Sequence, residues 1–399
     1  MKQDSATRLR LRLSPAAEKV VRQGHPWVFS DSVRDLNRAG RAGELAVIYG
    51  RDDKFLAVGF YDPASPLRVR ILHCGKPVTL DAAWWQERLR AALAKRDGMF
   101  DAQTTGYRLI NGESDGWPGL VLDHYAGVLV LKLYSAVWLP RLEEILALIV
   151  AALAPSGIVL RLSRNITEAA QREHGVSEGV IRGTSAETVV FVENGLRFEA
   201  EVLRGQKTGF FLDQRDNRRR VGELSAGAEV LNAFSFSGGF SLSAARGGAR
   251  TVTDIDISPH ALAAGGRNFA LNANIPGVAA CKRESVQADA FAWLADGQSE
   301  FDLVVVDPPS MAKREADRAG AIVAYERLAY SALQRVRRGG VVVMASCSAH
   351  VSAEEFALAV QRAARGWRSE ELWTSAHAAD HAVNFKEGEY LKCVALRVR

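Results

Sequence analysis

Between residues 229 and 346, short runs of apolar residues alternate with segments of helical spacing, and this alternation constrains the fold more than any other feature. The apolar runs are EVLNAF (229–234), TVTDID (251–256), FDLVVVD (301–307) and GVVVMAS (340–346). Near-continuous apolar strands joined by helices are typical of a parallel sheet that is covered on both faces. The pattern therefore predicts an α/β fold with this sheet at its centre.

The chain divides into three predicted domains. Residues 1–75 alternate short apolar runs with turn residues, which predicts a small β-rich domain. Residues 76–185 mix strand and helix patterns, which predicts a small α/β middle domain. Residues 186–399 begin with a predicted β-hairpin that turns at Asn194-Gly195, and the alternating pattern follows.

Several element ends carry local signals. An amphipathic helix is predicted from Pro140 to Ala154, and a second helix over residues 321–336, which we expect Gly339-Gly340 to close. The helix after the second strand has Ser258 as its predicted N-cap. A last strand is predicted over residues 390–398.

The positive charge is concentrated near the N-terminus. The 399 residues carry a formal net charge of +5, and residues 1–75 alone hold 13 Lys and Arg against 8 Asp and Glu. The remaining acidic and basic residues cancel. This favours either a domain that contacts a polyanion such as nucleic acid or an Arg-rich surface with no such partner.

The cysteines and the apolar runs indicate the compartment. The four cysteines lie far apart and form no CxxC pair, which is typical of neither a disulfide framework nor a zinc site. The first residues lack the apolar core of a signal peptide, and no apolar run approaches the roughly 20 residues of a membrane span. We expect a cytoplasmic protein that has no membrane segment and no metal.

Polar or Gly-rich residues follow each strand of the predicted sheet, where α/β proteins bind ligands. Gly238 and Gly239 lie in a strand-to-helix turn, which suits either the close approach of a ligand or a plain tight turn. Asp256 ends the second strand, where it can accept hydrogen bonds from ribose hydroxyls or assist the Ser258 cap. Asp289 can hold an adenine amino group or cap a helix.

The two remaining strand ends carry the residues that point to chemistry. Asp307 is followed by two prolines and Ser310, which predicts a stiff turn whose carbonyls can grip an amino group or a flat base. Cys347 lies between two serines at the end of the last parallel strand. It is interpreted as a nucleophile, although a buried cysteine commonly acts as a small apolar residue.

Five segments together resemble one family. They are HPWVFSDSV, GQKTGFFLDQRDNRR, LNAFSFSGGFSLSAARGGA, VVVDPPS and ASCSAHVS, and they are similar to the bacterial PUA-fused RNA methyltransferases, which include large-subunit rRNA cytosine-C5 methyltransferases. The resemblance implies an N-terminal PUA domain, a small α/β middle domain and a Rossmann-like class I methyltransferase domain. It also implies S-adenosylmethionine as cofactor, and 23S rRNA or a large-subunit assembly intermediate as partner, and it is compatible with a homodimer.

The resemblance also assigns roles to the candidate site residues. It implies that the loop from Phe234 to Gly239 holds the methionine part of the cofactor, that Asp256 binds the ribose and that Asp289 binds the adenine. Asp307 would lie beside the methyl group and the target base. The other residues implied to border the cofactor are Phe211, Gln214, Arg215, Asn232, Ser235, Gly238 and Pro308.

A thiol suits methylation of a pyrimidine carbon. Cytosine C5 is a poor nucleophile until a thiolate adds at C6, and Cys347 is the expected thiolate. Many RNA cytosine-C5 enzymes carry a second cysteine where this chain has Ser310, so the group that removes the C5 proton stays open, with His350 as one candidate.

Two rival functions stay open. The first is methylation of a guanine or an exocyclic amine, which needs the Asp-Pro-Pro turn and no thiol. The second is an RNA-binding assembly factor without catalysis. A run of three arginines, Arg218 to Arg220, is expected to be either a second RNA contact or a solvated helix face.

Overall fold

The computed structural model describes residues 8–399, which form two compact units. Unit 1 contains the described residues up to 101 together with residues 106–189 and 200–210. Unit 2 contains residues 102–105, 190–199 and 211–399. Apart from residues 102–105, the described parts of the predicted domains 1–75 and 76–185 thus belong to one compact unit, and the boundary at residue 75 stays a prediction.

The first sheet of unit 1 is built from six strands. They are β1 (Leu9–Leu13), β2 (Trp27–Phe29), β3 (Val33–Leu36), β4 (Leu45–Tyr49), β5 (Phe55–Tyr61) and β6 (Leu67–Cys74), and helix α1 (Pro15–Arg22) follows β1. The strand order is β2-β6-β5-β4-β1-β3, and only β1 and β4 pair in parallel. In β1 the leucines are buried and the arginines are exposed, as the alternating LRLRL pattern predicts.

The second sheet of unit 1 has five strands. The elements are α2 (Ala82–Ala94), β7 (Gly106–Asn111), β8 (Leu120–Tyr125), β9 (Val128–Leu133), α3 (Leu142–Leu153), β10 (Gly157–Leu162), α4 (Arg164–His174) and β11 (Gly179–Gly183). The order is β11-β10-β9-β8-β7, with a parallel β9–β10 pair that α3 connects. Helix α3 begins later than predicted because Pro140 lies in a 3-10 turn, Ala136–Arg141.

Aromatic side chains join the two sheets of unit 1 into one core. Phe60 of β5 stacks on Trp85 of α2 with ring centroids 6.1 Å apart and meets Trp138 edge-on at 4.8 Å. Trp117 lies 5.3 Å from Trp85 and 5.6 Å from Trp138. Such rings bury large apolar areas, so the first 75 residues share their core with the segment that follows.

Unit 2 contains the alternating region. It begins with a hairpin of β12 (Val189–Glu193) and β13 (Leu196–Ala200), and the outermost residue of each strand belongs to unit 1. The elements that follow are α5 (Arg215–Glu223), β14 (Glu229–Ala233), α6 (Gly239–Arg246), β15 (Thr251–Asp256), α7 (Pro259–Leu271), α8 (Pro276–Ala280), β16 (Lys282–Gln287), α9 (Ala290–Asp296), β17 (Phe301–Val306), α10 (Arg318–Leu333), β18 (Val336–Ser346), α11 (Ala353–Ala363), β19 (Ser369–Ser375) and β20 (Lys392–Val398). The hairpin turns at Asn194 and Gly195, which both have positive φ, as their residue types predict.

Seven strands form the sheet of unit 2 in the order β16-β15-β14-β17-β18-β20-β19. All neighbouring strands are parallel except those that pair with β20. The chain runs outward in both directions from β14, so the carboxyl ends of β14, β15 and β17 meet at the switch point of the sheet, where such folds bind ligands. The predicted α/β architecture is confirmed.

Successive residues of the central strands enter two different cores. In β17, Val304 and Val306 face a core formed with α9, α10 and α11, whereas Leu303 and Val305 face a core formed with α5 and α6. Because both faces are covered, successive residues such as Leu303 to Val306 are all apolar, as the near-continuous apolar pattern predicts.

The end of α10 differs from the prediction. The helix stops at Leu333, and Gly339 and Gly340 lie inside β18 and do not close the helix. Phe301 pairs with Val336 and Leu303 pairs with Val341, so the intervening residues of β18 form a bulge. Gly339 has a φ of +87°, which a residue with a side chain rarely adopts, and this explains the glycine.

Candidate active site

The loop that follows β14 has an unusual backbone. Phe234, Phe236 and Gly238 all have positive φ, at +61°, +46° and +73°. Two of the three are bulky residues, for which the left-handed region is unfavourable. Such backbone conformations persist where the surrounding structure imposes them, and they cluster at ligand sites.

Two strand ends hold this loop. The Ser235 amide donates to the carbonyl of Ile255 at 2.9 Å, and the Phe236 amide donates to Oδ2 of Asp256 at 2.9 Å. The other oxygen of Asp256 accepts a bond from the amide of Ser258, which in turn caps α7. Asp256 is half-buried, and each of its oxygens keeps further acceptor capacity, so the helix-cap contact and a ligand contact are compatible.

Buried polar side chains support the loop from below. Asn232 has no exposed surface, and its amide donates to Ser241 at 2.9 Å and to Asp254 at 3.3 Å. Asp254 also bonds Arg283 at 2.7 Å. Burial raises the pKa of Asp254, and the nearby Arg283 opposes that rise. Asn232 therefore braces the loop in this structure, and its direct contact with a cofactor stays a prediction.

Sequence reasoning did not single out Asp254 as a site residue. An acid two positions before the end of a largely apolar strand was the available signal. Its burial and its three polar partners, which are Asn232, Ser241 and Arg283, are tertiary features.

Ser235 has a polar atom with no partner. Its hydroxyl oxygen is buried, and it forms no hydrogen bond to any part of the protein that the structure describes. A buried hydroxyl left unbonded costs roughly 1–3 kcal/mol, so a ligand or water that bonds it there is favoured.

Two aromatic rings, those of Phe291 and Phe211, lie against the loop that follows β14. Phe234 contacts Phe291 of α9 edge-on at 5.0 Å, and Phe211 contacts Phe236 at 5.1 Å. Phe291 is 43% exposed although it is large and apolar, and sequence reasoning did not single it out. Asp289 precedes it and caps α9, since its Oδ1 accepts bonds from the amides of Phe291 and Ala292. The structure shows the helix-cap role of Asp289, and its adenine contact stays a prediction.

A chain of amides fixes the orientation of Asp307. Gln214 donates from Nε2 to Oδ2 of Asp307 at 3.0 Å, and Asn217 donates to Oε1 of Gln214 at 2.6 Å. Ser375 donates to Asn217 at 2.5 Å. The structure thus brings together two predicted site residues that are 93 positions apart in the chain. The amide of Gln214 thus holds one oxygen of Asp307 in place.

Ser348, the residue after Cys347, fixes the loop that carries the thiol. Ser348 is fully buried, and its hydroxyl accepts bonds from the amides of Met311 and Ala312 at 3.0 and 3.3 Å. It also bonds the Tyr325 hydroxyl at 2.8 Å. These contacts join the loop after β18 to the turn after β17.

Cys347 itself is half-buried beside the Asp-Pro-Pro turn. Its thiol contacts the carbonyl of Pro308 at 4.0 Å. Asp307, Pro308 and Cys347 therefore lie together, as predicted from their places at the ends of adjacent parallel strands.

Two other cysteines have surroundings that suppress reactivity. Burial raises the pKa of Cys281 to about 11, and burial also raises the pKa of Cys393 well above the usual thiol range. At neutral pH both are protonated thiols, which are poor nucleophiles.

Arg215 belongs to a buried charge cluster. It is 3% exposed and bonds Asp380 through both terminal nitrogens, at 2.5 and 3.2 Å. His381 bonds the same carboxylate at 3.0 Å. The side chain of Arg215 is thus engaged in the interior, and its contact with a cofactor stays a prediction.

One of the three arginines predicted as a surface run is internal. Arg218 is 3% exposed and forms two 2.7 Å bonds to Glu193 of the β12–β13 hairpin. The prediction of an RNA contact or a solvated face is wrong for Arg218, because this pairing with a hairpin 25 positions away buries it. Arg220 lies over the ring of Trp373 at 5.0 Å.

The candidate base His350 has another partner, and so does Ser310, which stands where many RNA cytosine-C5 enzymes carry a second cysteine. His350 is partly exposed, and its Nδ1 lies 3.4 Å from Glu315. Ser310 donates to the carbonyl of Ala312 and lies 3.2 Å from the Ser348 hydroxyl. Neither arrangement identifies a base.

The described residues lack two further features. Residues 8–399 contain no group of three or more His, Cys, Asp or Glu side chains that could hold a metal ion. Within the same residues, no helix combines the length and the apolar character needed to cross a bilayer.

Comparisons with known proteins agree with this geometry. Residues 107–362 match the family described as S-adenosylmethionine-dependent methyltransferase, and residues 11–73 match the PUA-like domain. A protein of Deinococcus radiodurans named "Ribosomal RNA large subunit methyltransferase" is 58% identical over 99% of this chain and 98% of its own. One of Aeromonas salmonicida named "Ribosomal RNA large subunit methyltransferase I" is 34% identical over 96% of this chain and 97% of its own.

Solved structures share the fold. A putative SAM-dependent methyltransferase from Streptococcus mutans superposes with a TM-score of 0.83 at 23% identity, over 98% of this chain and 100% of its own. A putative methyltransferase complexed with SAH superposes with a TM-score of 0.84 over the same shares. The chain therefore belongs to the S-adenosylmethionine-dependent methyltransferases that carry an N-terminal PUA-like domain, and S-adenosylmethionine is its methyl donor.

Proposed function

We propose that the protein transfers a methyl group from S-adenosylmethionine to C5 of a cytosine in 23S rRNA, through a covalent bond between Cys347 and C6 of the base. The observation that carries this proposal is the contact of the Cys347 thiol with the Pro308 carbonyl, next to Asp307. A half-buried thiol beside that turn is what a C6 adduct requires, and amine methylation has no use for it.

The residues around the first loop fit the cofactor. S-adenosylmethionine supplies an electrophilic methyl group on a sulfonium centre. The unbonded hydroxyl of Ser235 and the left-handed backbone around it would hold the methionine part. Asp256 would accept bonds from the ribose, and the exposed ring of Phe291 beside Phe234 would cover one face of the adenine.

Cys347 would perform the covalent step. Its thiolate adds to C6 of cytosine, which breaks the aromaticity of the ring and makes C5 a nucleophile. C5 would then accept the methyl group, and S-adenosylhomocysteine would be the leaving group. Loss of the C5 proton to a base, followed by expulsion of the thiolate from C6, restores the aromatic ring and the free enzyme.

Asp307 would hold the target base. Gln214 orients its carboxylate, which would accept a bond from the cytosine amino group or share a proton with N3. A proton at N3 neutralises the charge that builds up on the ring as the thiolate adds. The stiff Pro308-Pro309 backbone keeps the carboxylate at a constant distance from Cys347.

The substrate assignment is supported by the relatives and by charge. Both curated relatives are named for the large-subunit ribosomal RNA, and the excess positive charge lies in the first 75 residues. We propose that this PUA-like region binds rRNA phosphates, either on free 23S rRNA or on an assembly intermediate in the cytoplasm. A homodimer is a further prediction, which sedimentation analysis at micromolar concentration would test.

Replacement of the thiol tests the proposal. We expect Cys347→Ser to reduce 5-methylcytosine formation by roughly 10³-fold or more, because an alkoxide is not available at neutral pH. Nucleoside mass spectrometry of 23S rRNA measures the product, and calorimetry checks that S-adenosylmethionine still binds. Cys281→Ser is the matched control, since that thiol is protonated and we expect full activity.

The same experiment separates the rival function. A guanine or exocyclic-amine methyltransferase would keep its activity in Cys347→Ser and would yield a methylated purine or amine. Retention of methyl transfer in this variant would therefore exclude the C5 mechanism.

Replacement of the carboxylate tests the role of Asp307. We expect Asp307→Ala to lower kcat by about 10²–10⁴-fold while the affinity for S-adenosylmethionine changes little, because the carboxylate acts on the base. Single-turnover kinetics and calorimetry measure the two effects. An Asp307→Ala enzyme with normal turnover would contradict the assignment.

A further inference from the structure

A buried lysine lies beside Cys347. Lys392 is the first residue of β20, and it pairs directly with Ser346, the residue before Cys347, in the antiparallel β18–β20 ladder. It is only 4% exposed. Lysine is almost never this buried without a compensating partner, so its surroundings need an explanation.

The ammonium group of Lys392 binds backbone carbonyls. Its Nζ donates to the carbonyl of Ser348 at 2.6 Å and to that of Tyr390 at 3.0 Å. An ammonium group has three N–H donors, so these two bonds leave one further donor. The bond to Ser348 places a positive charge at the backbone of the residue that follows Cys347.

Charged groups on several neighbouring elements act on Lys392. Burial lowers the pKa of Lys392 to about 8, and the charges of Cys347, Glu389 and Glu355 oppose this effect. Glu355 of α11 is paired with Arg318, so much of its charge is neutralised. Tyr325 of α10 also faces Cys347, and burial raises the pKa of its hydroxyl, so it is uncharged at neutral pH.

Glu389 is exposed and Glu355 is paired with Arg318, which leaves Cys347 as the natural counter-charge of Lys392. The coupling between two charges is reciprocal. If the ionised thiol of Cys347 favours protonation of Lys392, the protonated lysine favours ionisation of Cys347 to the same extent. A nearby cation is one of the ordinary means by which proteins make a cysteine reactive.

We propose that Lys392 is a positioning residue that keeps Cys347 in its reactive thiolate form, by holding the Ser348 carbonyl and placing its positive charge near the sulfur. The inference rests on the proposed function, in which Cys347 is the nucleophile. The thiol releases its proton to solvent, and Lys392 keeps its own proton throughout. Lys392 makes no bond to the substrate in this role.

The test measures thiol reactivity and needs no RNA. The full-length protein is alkylated with iodoacetamide from about pH 6 to about pH 10, and mass spectrometry of the Cys347 peptide gives the rate and the apparent pKa of this thiol. We compare the wild type with Lys392→Met, which keeps the length of the side chain, and with Lys392→Gln, which keeps a donor for the carbonyls and lacks the charge.

We expect the apparent pKa of Cys347 to rise by about one unit in both variants, so that its alkylation at pH 7 slows about tenfold. Lys132→Met is the matched control, because Lys132 also donates to a backbone carbonyl, that of Leu162, and burial also lowers its pKa. In this control the pKa of Cys347 should stay at the wild-type value. Calorimetry with S-adenosylmethionine identifies the variants that are folded.

An unchanged pKa of Cys347 in a folded Lys392→Gln protein would overturn the proposal. A rise of this pKa in Lys392→Met alone would also overturn it, because it would show that the hydrogen bonds act and the charge does not. If Lys392→Met fails to bind S-adenosylmethionine, Lys392→Gln decides. The alkylation result is independent of catalysis, whereas activity in Cys347→Ser would refute the proposed function and leave the alkylation result standing.

Discussion

At the scale of single residues, the cluster of Arg215, Asp380 and His381 shows how charge can be buried next to a site. The three side chains are at most 3% exposed. Burial alone would raise the pKa of Asp380, but His381 and Arg215 together hold it well below its usual range. Removing the Asp380 carboxylate would leave the buried Arg215 guanidinium without this counter-charge, which is costly.

We predict that Asp380→Asn lowers the free energy of unfolding by about 3–5 kcal/mol at pH 7. Urea unfolding of the wild type and the variant measures the difference. Glu168→Gln is the control, because the pair of Glu168 with Arg172 is solvent-exposed and is worth at most about 0.5 kcal/mol. A loss below about 1 kcal/mol in Asp380→Asn would show that the cluster contributes little.

The same cluster predicts a pH dependence. Asp380 has a lower pKa in the folded protein than its reference value of about 3.9, so its stabilising effect is complete above that pH. As the pH falls below about 4, the unfolded chain takes up the proton first and the stabilisation declines. The stability difference between wild type and Asp380→Asn should therefore shrink from pH 5 to about pH 3.

At the scale of elements, the loop between β14 and α6 depends on its left-handed residues. Gly238 has a φ of +73°, and a Cβ placed there would lie 3.4 Å from Gly265 and 3.5 Å from Asp254, which is ordinary contact. The cost of a side chain at this position is therefore mainly that of the backbone conformation. Any relaxation of φ would move Phe236 and Ser235, which the loop positions over the sheet.

We predict that Gly238→Ala weakens S-adenosylmethionine binding at least about tenfold, or 1.4 kcal/mol, because the loop shifts to relieve the left-handed conformation. Calorimetry measures the affinity. Gly227→Ala is the matched control, since Gly227 has a φ of +69° in open space before β14. Both variants should lose about 1–2 kcal/mol of stability, and only Gly238→Ala should lose affinity.

At the scale of the whole molecule, the basic N-terminal region is part of a larger folded unit. Trp27 of β2 donates to Glu113 at 2.8 Å, and Arg70 of β6 pairs with the same carboxylate at 3.2 Å. Together with the ring cluster around Phe60, these contacts mean that removing the first 75 residues would expose apolar surface. Surface substitutions are therefore the sound test of RNA binding.

We predict that Arg34→Glu with Arg41→Glu weakens binding of a 23S rRNA fragment and lowers the slope of log affinity against log salt by about 2, because two phosphate contacts are lost. Both arginines are exposed. Fluorescence anisotropy over a salt series measures the slope. Arg164→Glu with Arg172→Glu makes the same charge change on α4, and equal effects of the two pairs would exclude a specific basic face.

Local sequence signals were sufficient for the interior of the fold. The strands β14, β15, β17 and β18 have apolar side chains on both faces, and this pattern follows directly from burial on both sides of a sheet. Edge strands carry no such signal. Strand β16, KRESVQ, is largely exposed and was not predicted, because only its pairing with β15 makes it a strand.

Candidate site residues could be named from the sequence because parallel strands all end at one edge. Asp256, Asp307 and Cys347 therefore had to lie on the same side of the sheet once the strands were identified. The direction of each strand, its apolar run and the polar residue at its end are properties of consecutive residues, and they were available without coordinates.

The tertiary structure alone decided which of these side chains meet and which are occupied. Gln214 contacts Asp307, Arg215 is engaged by Asp380 165 positions away, and Lys392 reaches the loop of Cys347 from a strand that runs in the opposite direction. These contacts depend on how distant segments pack, and their energies come from burial and pairing, which no local pattern of residues encodes. The sequence by itself determined where chemistry could occur, and packing determined the surroundings that tune it.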